Sequence, residues 1–260
     1  MPELPEAEAY RRLAEAAVGR RVVAVSTPDL WYLKGGTDRD ALEAALVAAR
    51  VLDVRRHGKR VLVDVDSGHV LGLQFGMTGT LELDGEAGVG DLRYTPSRRE
   101  PGWVRFAVRF EEGGVLAVHD PRRLGGVTLD PDLSRLGPDA AVVRPAVLAR
   151  ALAASHAPVK ARLLDQSVVA GVGNLVADEV LWRAAVDPRR RSADLRRAEL
   201  GRLHRHLVAT LEDLLARGGS HLGDLGPERR PGGRCPKDGT SLARAVVGGR
   251  TTWWCPAHQR

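Results

Sequence analysis

Four side chains near the end of the chain have the types and spacing of a metal site. The pattern is C-x2-D-x16-C-x2-H, and its members are Cys235, Asp238, Cys255 and His258. Two-residue gaps around a hairpin-length insert are how a zinc ribbon places four ligands tetrahedrally; cysteine and histidine are standard zinc ligands, whereas aspartate is uncommon in structural sites. The pattern predicts one structural zinc ion. Two unrelated cysteines and a chance histidine are the alternative interpretation.

A second candidate is the glycine-rich turn Gly171-Val-Gly173, which is followed directly by Asn174. Glycines permit a sharp backbone turn, asparagine is a good helix N-cap, and the exposed amides of a helix N-terminus bind phosphate. The turn does not follow a strand, so a dinucleotide-binding fold is not expected. Gly-x-Gly by itself more often forms only a turn, and both interpretations stay open at this point.

The N-terminus offers a candidate nucleophile. Because the residue after Met1 is small, removal of the methionine is expected, and this would leave Pro2 with a free secondary amine. An α-amine has a pKa of about 7.7–8, well below that of lysine, so more of it is a free nucleophile at neutral pH. Glu3 beside it would be able to move protons. Taken alone, Pro2 is more simply interpreted as an ordinary second residue.

The elements that must position these groups change from β-type to helical along the chain. Six short strand-like runs lie between residues 51 and 120, with Glu-Glu-Gly-Gly as a turn between the last two. Pro5 and Glu6 suit a helix start, and Gly218-Gly219 suits a helix end. Helices are predicted at 5–18, 40–50, 146–154, 159–169, 175–184 and 194–216.

This order of elements predicts an α+β, multidomain protein. We expect a β-rich N-terminal domain with flanking helices over residues 1–131 and a Pro/Gly-containing linker over 132–145. A helical domain would follow over 146–219, and a loop with the cysteine-bearing module over 220–260.

Composition excludes several classes of protein. The chain has 260 residues and a formal net charge of +6, and its hydrophobic fraction of 43% excludes wholesale disorder. Two cysteines are too few for a disulfide scaffold, no stretch approaches the roughly 20 apolar residues of a membrane span, and the acidic start MPELPEAEAY is not a signal peptide. We therefore expect a cytoplasmic, nucleoid-associated protein with a polyanionic partner, although a charge of +6 alone fits many basic surfaces.

Several motifs occur in a characteristic order between the two termini. They are MPELPEAE at the start, RRHGK at 55–59, GMTG at 76–79, HDPRRLG at 119–125, LDQSVVAGVGN at 164–174, and the paired tail. Together they resemble the formamidopyrimidine-DNA glycosylase / endonuclease VIII family over essentially the whole chain. The resemblance implies an N-terminal β-sandwich flanked by helices, a helix–two-turn–helix domain and a C-terminal β-hairpin zinc finger, in agreement with the order of elements above.

The resemblance also implies a function: a base-excision-repair DNA glycosylase with AP-lyase activity, acting as a monomer on double-stranded DNA that contains a damaged base or an abasic site. Pro2 would attack C1′ of the flipped nucleotide, and Glu3 would assist ring opening as acid and base. The resulting Schiff base would acidify the C2′ proton, so that β- and then δ-elimination cut the strand. Lys59 would contact a phosphate or assist proton transfer.

The resemblance further implies how the chain would hold DNA. Met77 and Arg122 match residues that fill the hole left by base flipping, and Leu124 stands where the family has phenylalanine. A leucine can wedge between bases but stacks less well than an aromatic ring. Phosphate contacts, which add affinity and salt dependence, are implied for Lys160, Asn174 and Arg250.

The chain departs from the family pattern at several places. Gln74-Phe75 replaces His-Leu before Gly-Met, Val176 replaces a tyrosine, and the segment 219–233 is short where formamidopyrimidine enzymes have a loop over the flipped purine. The substrate therefore stays open between an oxidised purine, an oxidised pyrimidine, an abasic site and an unusual adduct. Two other functions also stay open: a non-catalytic binder of damaged or distorted DNA, and a basic zinc-ribbon adaptor for RNA or protein.

Overall fold

The computed structural model of the chain describes residues 2–90 and 100–260. The chain divides into two compact units, Met1–Leu133 and Ser134–Arg260. The first unit is a β-sandwich with two helices, and the second is helical and ends in a β-hairpin. Within the described ranges, no helix combines the length and apolar character needed to cross a membrane.

The helices of the first unit are α1 (Leu4–Ala14), which continues as a 3-10 turn over Glu15–Ala17, and α2 (Arg39–Leu46). Both end earlier than the sequence predicts. The side chain of Asp38 caps α2 by accepting a hydrogen bond from the backbone of Ala41 at 2.8 Å. The helix cannot continue to residue 50 because Ala48 adopts a left-handed backbone with φ of 67° and redirects the chain into the sheet.

Two antiparallel sheets form the sandwich. One has the order β1-β7-β8-β5-β6 and the other the order β2-β3-β4-β9. The strands in chain order are β1 (Val22–Ser26), β2 (Val51–His57), β3 (Arg60–Val65), β4 (Val70–Gln74), β5 (Thr80–Leu83), β6 (Glu86–Ala87), β7 (Val104–Phe110), β8 (Val115–His119) and β9 (Gly126–Leu129). The six predicted runs correspond to β2, β3, β4, β5, β7 and β8. The sequence missed β1, β6 and β9. Strands β1 and β9 take their places by pairing with the distant strands β7 and β4, and β6 is a two-residue strand that pairs with β5.

One hydrophobic core lies between the sheets. The sheets contribute side chains such as Leu73 and Phe106, and the helices add Tyr10 of α1 and Leu42 of α2. Apolar residues alternate along strands such as β7 because successive side chains point to opposite faces. The packed core fixes three connections at its rim: the turn between β2 and β3, the turn between β4 and β5, and the loop between β8 and β9. These connections carry most of the predicted site residues of this unit.

The second unit contains α3 (Pro145–Ala153), α4 (Val159–Leu164), α5 (Asn174–Arg183), α6 (Arg197–Arg217) and the hairpin β10 (Ala243–Val247) and β11 (Arg250–Trp254). The predicted helix at 159–169 stops at Leu164 because the carboxylate of Asp165 accepts hydrogen bonds from the backbone and hydroxyl of Ser167. Helix α6 ends, as the sequence predicts, at a left-handed glycine, Gly218.

Most of the predicted linker, from residue 134 on, and the predicted C-terminal module belong to this second unit. Ala140 donates a backbone hydrogen bond to Ala170 at 2.9 Å, and Gly137 lies so close to the 167–168 backbone that an added Cβ would be 2.6 Å from the Ser167 carbonyl oxygen. Strand β11 packs against α5. Residues 134–144 therefore do not form a free connection, and the hairpin module shares one body with the helices.

Candidate nucleic-acid interface and metal centre

Pro2 and Glu3 lie buried at the start of α1. The backbone N–H of Glu3 donates to Oε2 of Glu6 at 2.7 Å, so the helix-start glutamate fixes the residue that follows the proline. Met1, whose removal the sequence predicts, lies outside the described residues. Helix α1 thus determines where the candidate nucleophile and its neighbouring carboxylate are held.

Lys59 lies half-buried in the tight turn between β2 and β3. Arg56 ties this turn to α1, because its guanidinium donates to Glu8 at 3.0 Å and to the carbonyl of Gly58 at 2.8 Å. Burial alone would raise the pKa of Glu8, but hydrogen bonds from arginine, including Arg56, outweigh it and hold this pKa below its ordinary value. The turn of Lys59 is therefore linked by hydrogen bonds to α1, whose start follows Pro2 and Glu3.

The three residues predicted to fill the hole in DNA lie on two touching connections. Met77 occupies the β4–β5 turn, while Arg122 and Leu124 lie in the β8–β9 loop, where the side chain of Leu124 is 48% exposed. A Cβ added to Gly76, whose φ is +56°, would lie 2.3 Å from the carbonyl carbon of Leu124. Only glycine fits this approach, so the two connections that carry the three residues lie against each other.

Asp120 joins these two connections, and this role was not predicted from the sequence. Its buried carboxylate accepts hydrogen bonds from the hydroxyl of Thr78 at 2.6 Å and from the backbone N–H groups of Arg122 at 3.2 Å and Gly125 at 2.8 Å. The hydroxyl of Tyr32 adds a fourth, longer bond at 3.4 Å. Burial and the nearby Asp120 charge raise the pKa of Tyr32 far above its usual range, so this hydroxyl keeps its proton. The signal in the sequence was an aspartate at the end of a buried strand, directly before Pro-Arg-Arg.

A second aspartate holds the same loop from outside. Asp29 accepts two hydrogen bonds from the guanidinium of Arg123, at 2.6 and 2.7 Å. Arg123 has a left-handed backbone with φ of 57°, which is uncommon for a residue with a side chain. The hydrogen bonds from Arg123 lower the pKa of Asp29 against a smaller opposing effect of burial, so the pair is ionised at neutral pH.

Lys160 does not lie where a phosphate contact requires it. The side chain is fully buried, and Nζ lies 2.7 Å from Oδ1 of Asp178 and donates to the hydroxyl of Thr252 at 2.6 Å. Arg229 binds the other oxygen of the same aspartate at 2.7 Å. Because Lys160 has no exposed surface in this structure, the sequence-based assignment of Lys160 to phosphate does not fit it. The lysine instead ties α4 to α5 and β11.

Asn174 lies beside the start of β11, next to Arg250 in the terminal hairpin. Asn174 is the first residue of α5, and Gly173, not the asparagine, occupies the N-cap. The amide of Asn174 donates to the carbonyl of Thr251 at 3.2 Å, and the exposed Arg250 is the neighbour of Thr251 on β11. The N-terminus of α5 and the amide of Asn174 thus lie beside the backbone that follows Arg250, and backbone amides, a side-chain amide and a guanidinium are all groups that can bind an anion.

The four predicted metal ligands converge on one point. Their ligand atoms all lie within 4.8 Å of one another. His258 Nδ1 lies 3.5 Å from Cys235 Sγ and 3.4 Å from Asp238 Oδ2, and Cys255 Sγ lies 3.3 Å from Asp238 Oδ2. Bonds of about 2.0–2.3 Å to a central zinc ion would give tetrahedral edges of roughly 3.3–3.8 Å. The donor set therefore fits one tetrahedral metal ion.

Trp182 supports two of these ligands and was not singled out from the sequence. Its carbonyl oxygen lies 3.1 Å from His258 Nε2, which must donate to it, so that Nδ1 is left to bind a metal. Its indole N–H donates to Cys235 Sγ at 3.4 Å. A buried tryptophan near the end of α5 thus orients one ligand and donates a hydrogen bond to another.

Comparison with known proteins places both units in one family. The model of the formamidopyrimidine-DNA glycosylase N-terminal domain matches residues 1–127, and that of the formamidopyrimidine-DNA glycosylase H2TH domain matches residues 136–224. Proteins named formamidopyrimidine-DNA glycosylase from Paracoccus denitrificans and Xanthomonas campestris are 36% and 35% identical to the chain, with all of both sequences covered in each case.

Solved structures give the same result. A complex of the LlFpg protein with a THF-DNA and an inhibitor superimposes with a TM-score of 0.84 at 25% identity over the whole of both chains. Wild-type Lactococcus lactis Fpg (MutM) bound to DNA containing N7-benzyl-Fapy-dG superimposes with a TM-score of 0.83 at 25% identity, again over both whole chains. The sandwich, the helical domain and the terminal hairpin thus all have counterparts in these structures.

Proposed function

Since the chain belongs to the formamidopyrimidine-DNA glycosylase family, we propose that it is a base-excision-repair DNA glycosylase with AP-lyase activity. Its substrate is double-stranded DNA that contains a damaged base or an abasic site. The observation that carries the proposal is the match of both family domains to a chain that keeps Pro2 and Glu3 at the start of α1.

The chemistry follows from a secondary amine at C1′. The lone pair of the Pro2 nitrogen attacks C1′, the bond from C1′ to the damaged base breaks, and the base leaves with that electron pair. Glu3 accepts the N–H proton of the attacking proline and passes it to the ring oxygen as the C1′–oxygen bond breaks, which gives an iminium ion between proline and the opened sugar. Loss of the C2′ proton expels the 3′ phosphate, and a second elimination expels the 5′ phosphate. Lys59 assists by contacting a phosphate or moving a proton.

Two regions hold the DNA in this proposal. Met77, Arg122 and Leu124 fill the hole left by the flipped nucleotide, and Asn174 and Arg250 contact phosphates. We do not give Lys160 this role, because its ammonium is buried against Asp178. A leucine at the wedge stacks less well than phenylalanine, so Leu124→Phe is expected to strengthen binding to duplexes with an abasic site.

Borohydride trapping tests the proposed chemistry. Wild-type protein mixed with a duplex that contains an abasic site or a damaged base should become covalently linked to the DNA, and Pro2→Gly should lose most of this product. Pro101→Gly is the matched control, since this proline is exposed and lies far along the chain from the N-terminus. Binding to damaged duplex without any trapped product would favour the non-catalytic alternative, and retained Met1 in the mass spectrum would explain it.

A panel of lesions tests the substrate class. Duplexes with 8-oxoguanine, a formamidopyrimidine, an oxidised pyrimidine or an abasic site are compared under single-turnover conditions. The short segment 219–233 and Gln74 favour a substrate range that is not confined to purines. Excision of oxidised purines alone would contradict this expectation.

We also propose that the metal of the C-terminal cluster is a single structural zinc ion. Two thiolates, an imidazole and a carboxylate suit zinc, and the hydrogen bonds of Trp182 complete the surroundings of two of the ligands. Purified protein should contain one equivalent of zinc by elemental analysis, and Cys255→Ala should lose most of it. Full metal content in that variant would refute the site, and His69→Ala, which alters an exposed histidine of the other unit, is the control.

A further inference from the structure

We infer that Asp120 is a positioning residue that holds the Met77 turn and the Arg122–Leu124 loop in one fixed arrangement, so that their side chains enter the DNA as a single wedge. The inference rests on the proposed function, because it concerns how that reaction gains access to its base. Asp120 itself is buried and would touch no DNA.

The hydrogen bonds of the carboxylate are divided so that they bridge the two connections. Oδ1 accepts from Thr78, on the Met77 turn, and from the backbone of Arg122. Oδ2 accepts from the backbone of Gly125, beyond the end of the wedge loop. All these donors are uncharged hydrogen-bond donors. Each bond therefore fixes the orientation of the donor group relative to the carboxylate, whereas an ion pair tolerates many orientations. A carboxylate is retained in this buried position because its oxygens satisfy more donors than an amide oxygen could.

The two connections are packed closely against each other, with no space between them at the glycines. Gly76 touches the backbone of Leu124, and a Cβ added to Gly125 would lie 2.2 Å from the hydroxyl of Tyr32. Neither connection can shift toward the other, and the hydrogen bonds of Asp120 oppose their separation.

The ion pair of Asp29 with Arg123 holds the outer side of the same loop. Arg123 lies between the two wedge residues of the loop, Arg122 and Leu124, and its left-handed backbone turns the chain between them. The side chain of Arg123 is 48% exposed, so it can be replaced with little risk to folding. The loop is therefore fixed at its inner side by Asp120 and at its outer side by Asp29.

The wedge must be rigid because stacked bases resist the insertion of side chains between them. Side chains that enter a base stack must keep their arrangement while the damaged nucleotide turns out of the duplex. An abasic site in single-stranded DNA has no stack to open, so cleavage there requires the amine and its acid/base partner but not the wedge. Loss of Asp120 should therefore affect the two substrates unequally.

The test compares Asp120→Asn with wild type on both substrates, well below the unfolding temperature of each protein. We expect single-turnover excision from a damaged duplex to fall at least tenfold more than cleavage of a single-stranded abasic site. A 2-aminopurine placed opposite a stable abasic analogue should also show less unstacking at saturating protein. Asp130→Asn is the control, because it makes the same change at an exposed aspartate of the same unit.

Arg123→Asn is the second variant and decides the question if Asp120→Asn folds poorly. Asparagine tolerates the left-handed backbone but removes the ion pair, and the expected change is the same unequal loss, about threefold or more. Equal losses on both substrates, or an unchanged ratio in both variants, would overturn the inference. Wild-type protein that cleaves neither substrate would instead refute the proposed function, and the 2-aminopurine signal would still test the wedge.

Discussion

Asp120 in the first unit and Asp178 in the second are both buried aspartates that join several segments, but their partners differ. Asp120 accepts hydrogen bonds from hydroxyl and backbone N–H groups. Asp178 lies between two cations, Lys160 at 2.7 Å and Arg229 at 2.7 Å. Neutral donors fix direction and suit loops that must keep a shape, while cations neutralise charge and suit helices and strands that must stay packed together.

The difference has energetic consequences. Removing one member of a buried ion pair leaves the opposite charge without compensation, which is among the most destabilising changes a protein can suffer. Removing the charge of Asp120 leaves only uncharged donors behind, and the loss is limited to their hydrogen bonds. The same substitution at the two positions should therefore give different results.

Asp178→Asn should have the largest effect. It leaves the fully buried Lys160 beside a neutral amide, and we expect a loss of about 3–5 kcal/mol in the free energy of unfolding. Urea unfolding followed by circular dichroism measures this loss. A loss no larger than that of Asp120→Asn would contradict the proposed difference between the two aspartates. It would mean that other groups compensate the charges of Lys160 and Arg229.

Asp120→Asn should cost less, about 1–3 kcal/mol, because one oxygen becomes an amide that cannot accept from Gly125. The loss is measured by the same urea unfolding experiment in the same buffer. Asp130→Asn weakens an exposed ion pair with His69, which should cost about 1 kcal/mol or less, and supplies the baseline.

Glu199→Gln should remove a pH-dependent contribution of roughly 1 kcal/mol in the second unit. Hydrogen bonds from Arg190 and then Arg196 hold the pKa of Glu199 far below its usual range. A carboxylate whose pKa is lowered by folding stabilises the protein above its unfolded value of about 4.3, and this stabilisation is lost as the pH falls toward the folded value. The difference between variant and wild type should therefore shrink below about pH 4. A difference that stays constant from pH 7 to pH 3 would contradict this.

Arg12→Ala should have the smallest effect, under about 0.5 kcal/mol, because Arg12 pairs with Glu8 at the surface of α1. Thermal unfolding measures it, and 0.5 M salt should remove most of the difference. A loss above 1 kcal/mol would show that charge holds the first unit more strongly than the contacts of Asp120 indicate.

The sequence predicts the elements of this fold better than their ends. Six of the nine strands in the described part of the sandwich follow from β-type runs, because their apolar residues face one core. The ends were missed where one side chain redirects the chain, as Asp165 does after α4. Strands β1 and β9 could not be predicted, because partners more than fifty residues away place them in their sheets. Strand β6 has only two residues, which is too short for a β-type run.

The candidate site residues also divide into those that a local pattern predicts and those that depend on distant partners. The metal cluster was predictable because its ligands come in two local pairs, and the structure brings those pairs together. Lys160 was assigned to phosphate by resemblance alone, and no local pattern indicates that Asp178 and Thr252 enclose it. Asp120 was missed because its partners, Tyr32, Thr78 and Gly125, come from three separate segments.

The terminal hairpin is not a cassette that could be cut off or transplanted. Trp182 of α5 and Leu225 form one hydrophobic cluster with Cys235 and Cys255, so the interior of the helical domain is completed by the tail itself. A chain shortened before residue 234 would leave the Trp182 indole and the apolar side of α5 in water, and such a fragment should aggregate. The last residues of the chain are therefore part of the hydrophobic core of its second half as much as they are a ligand set.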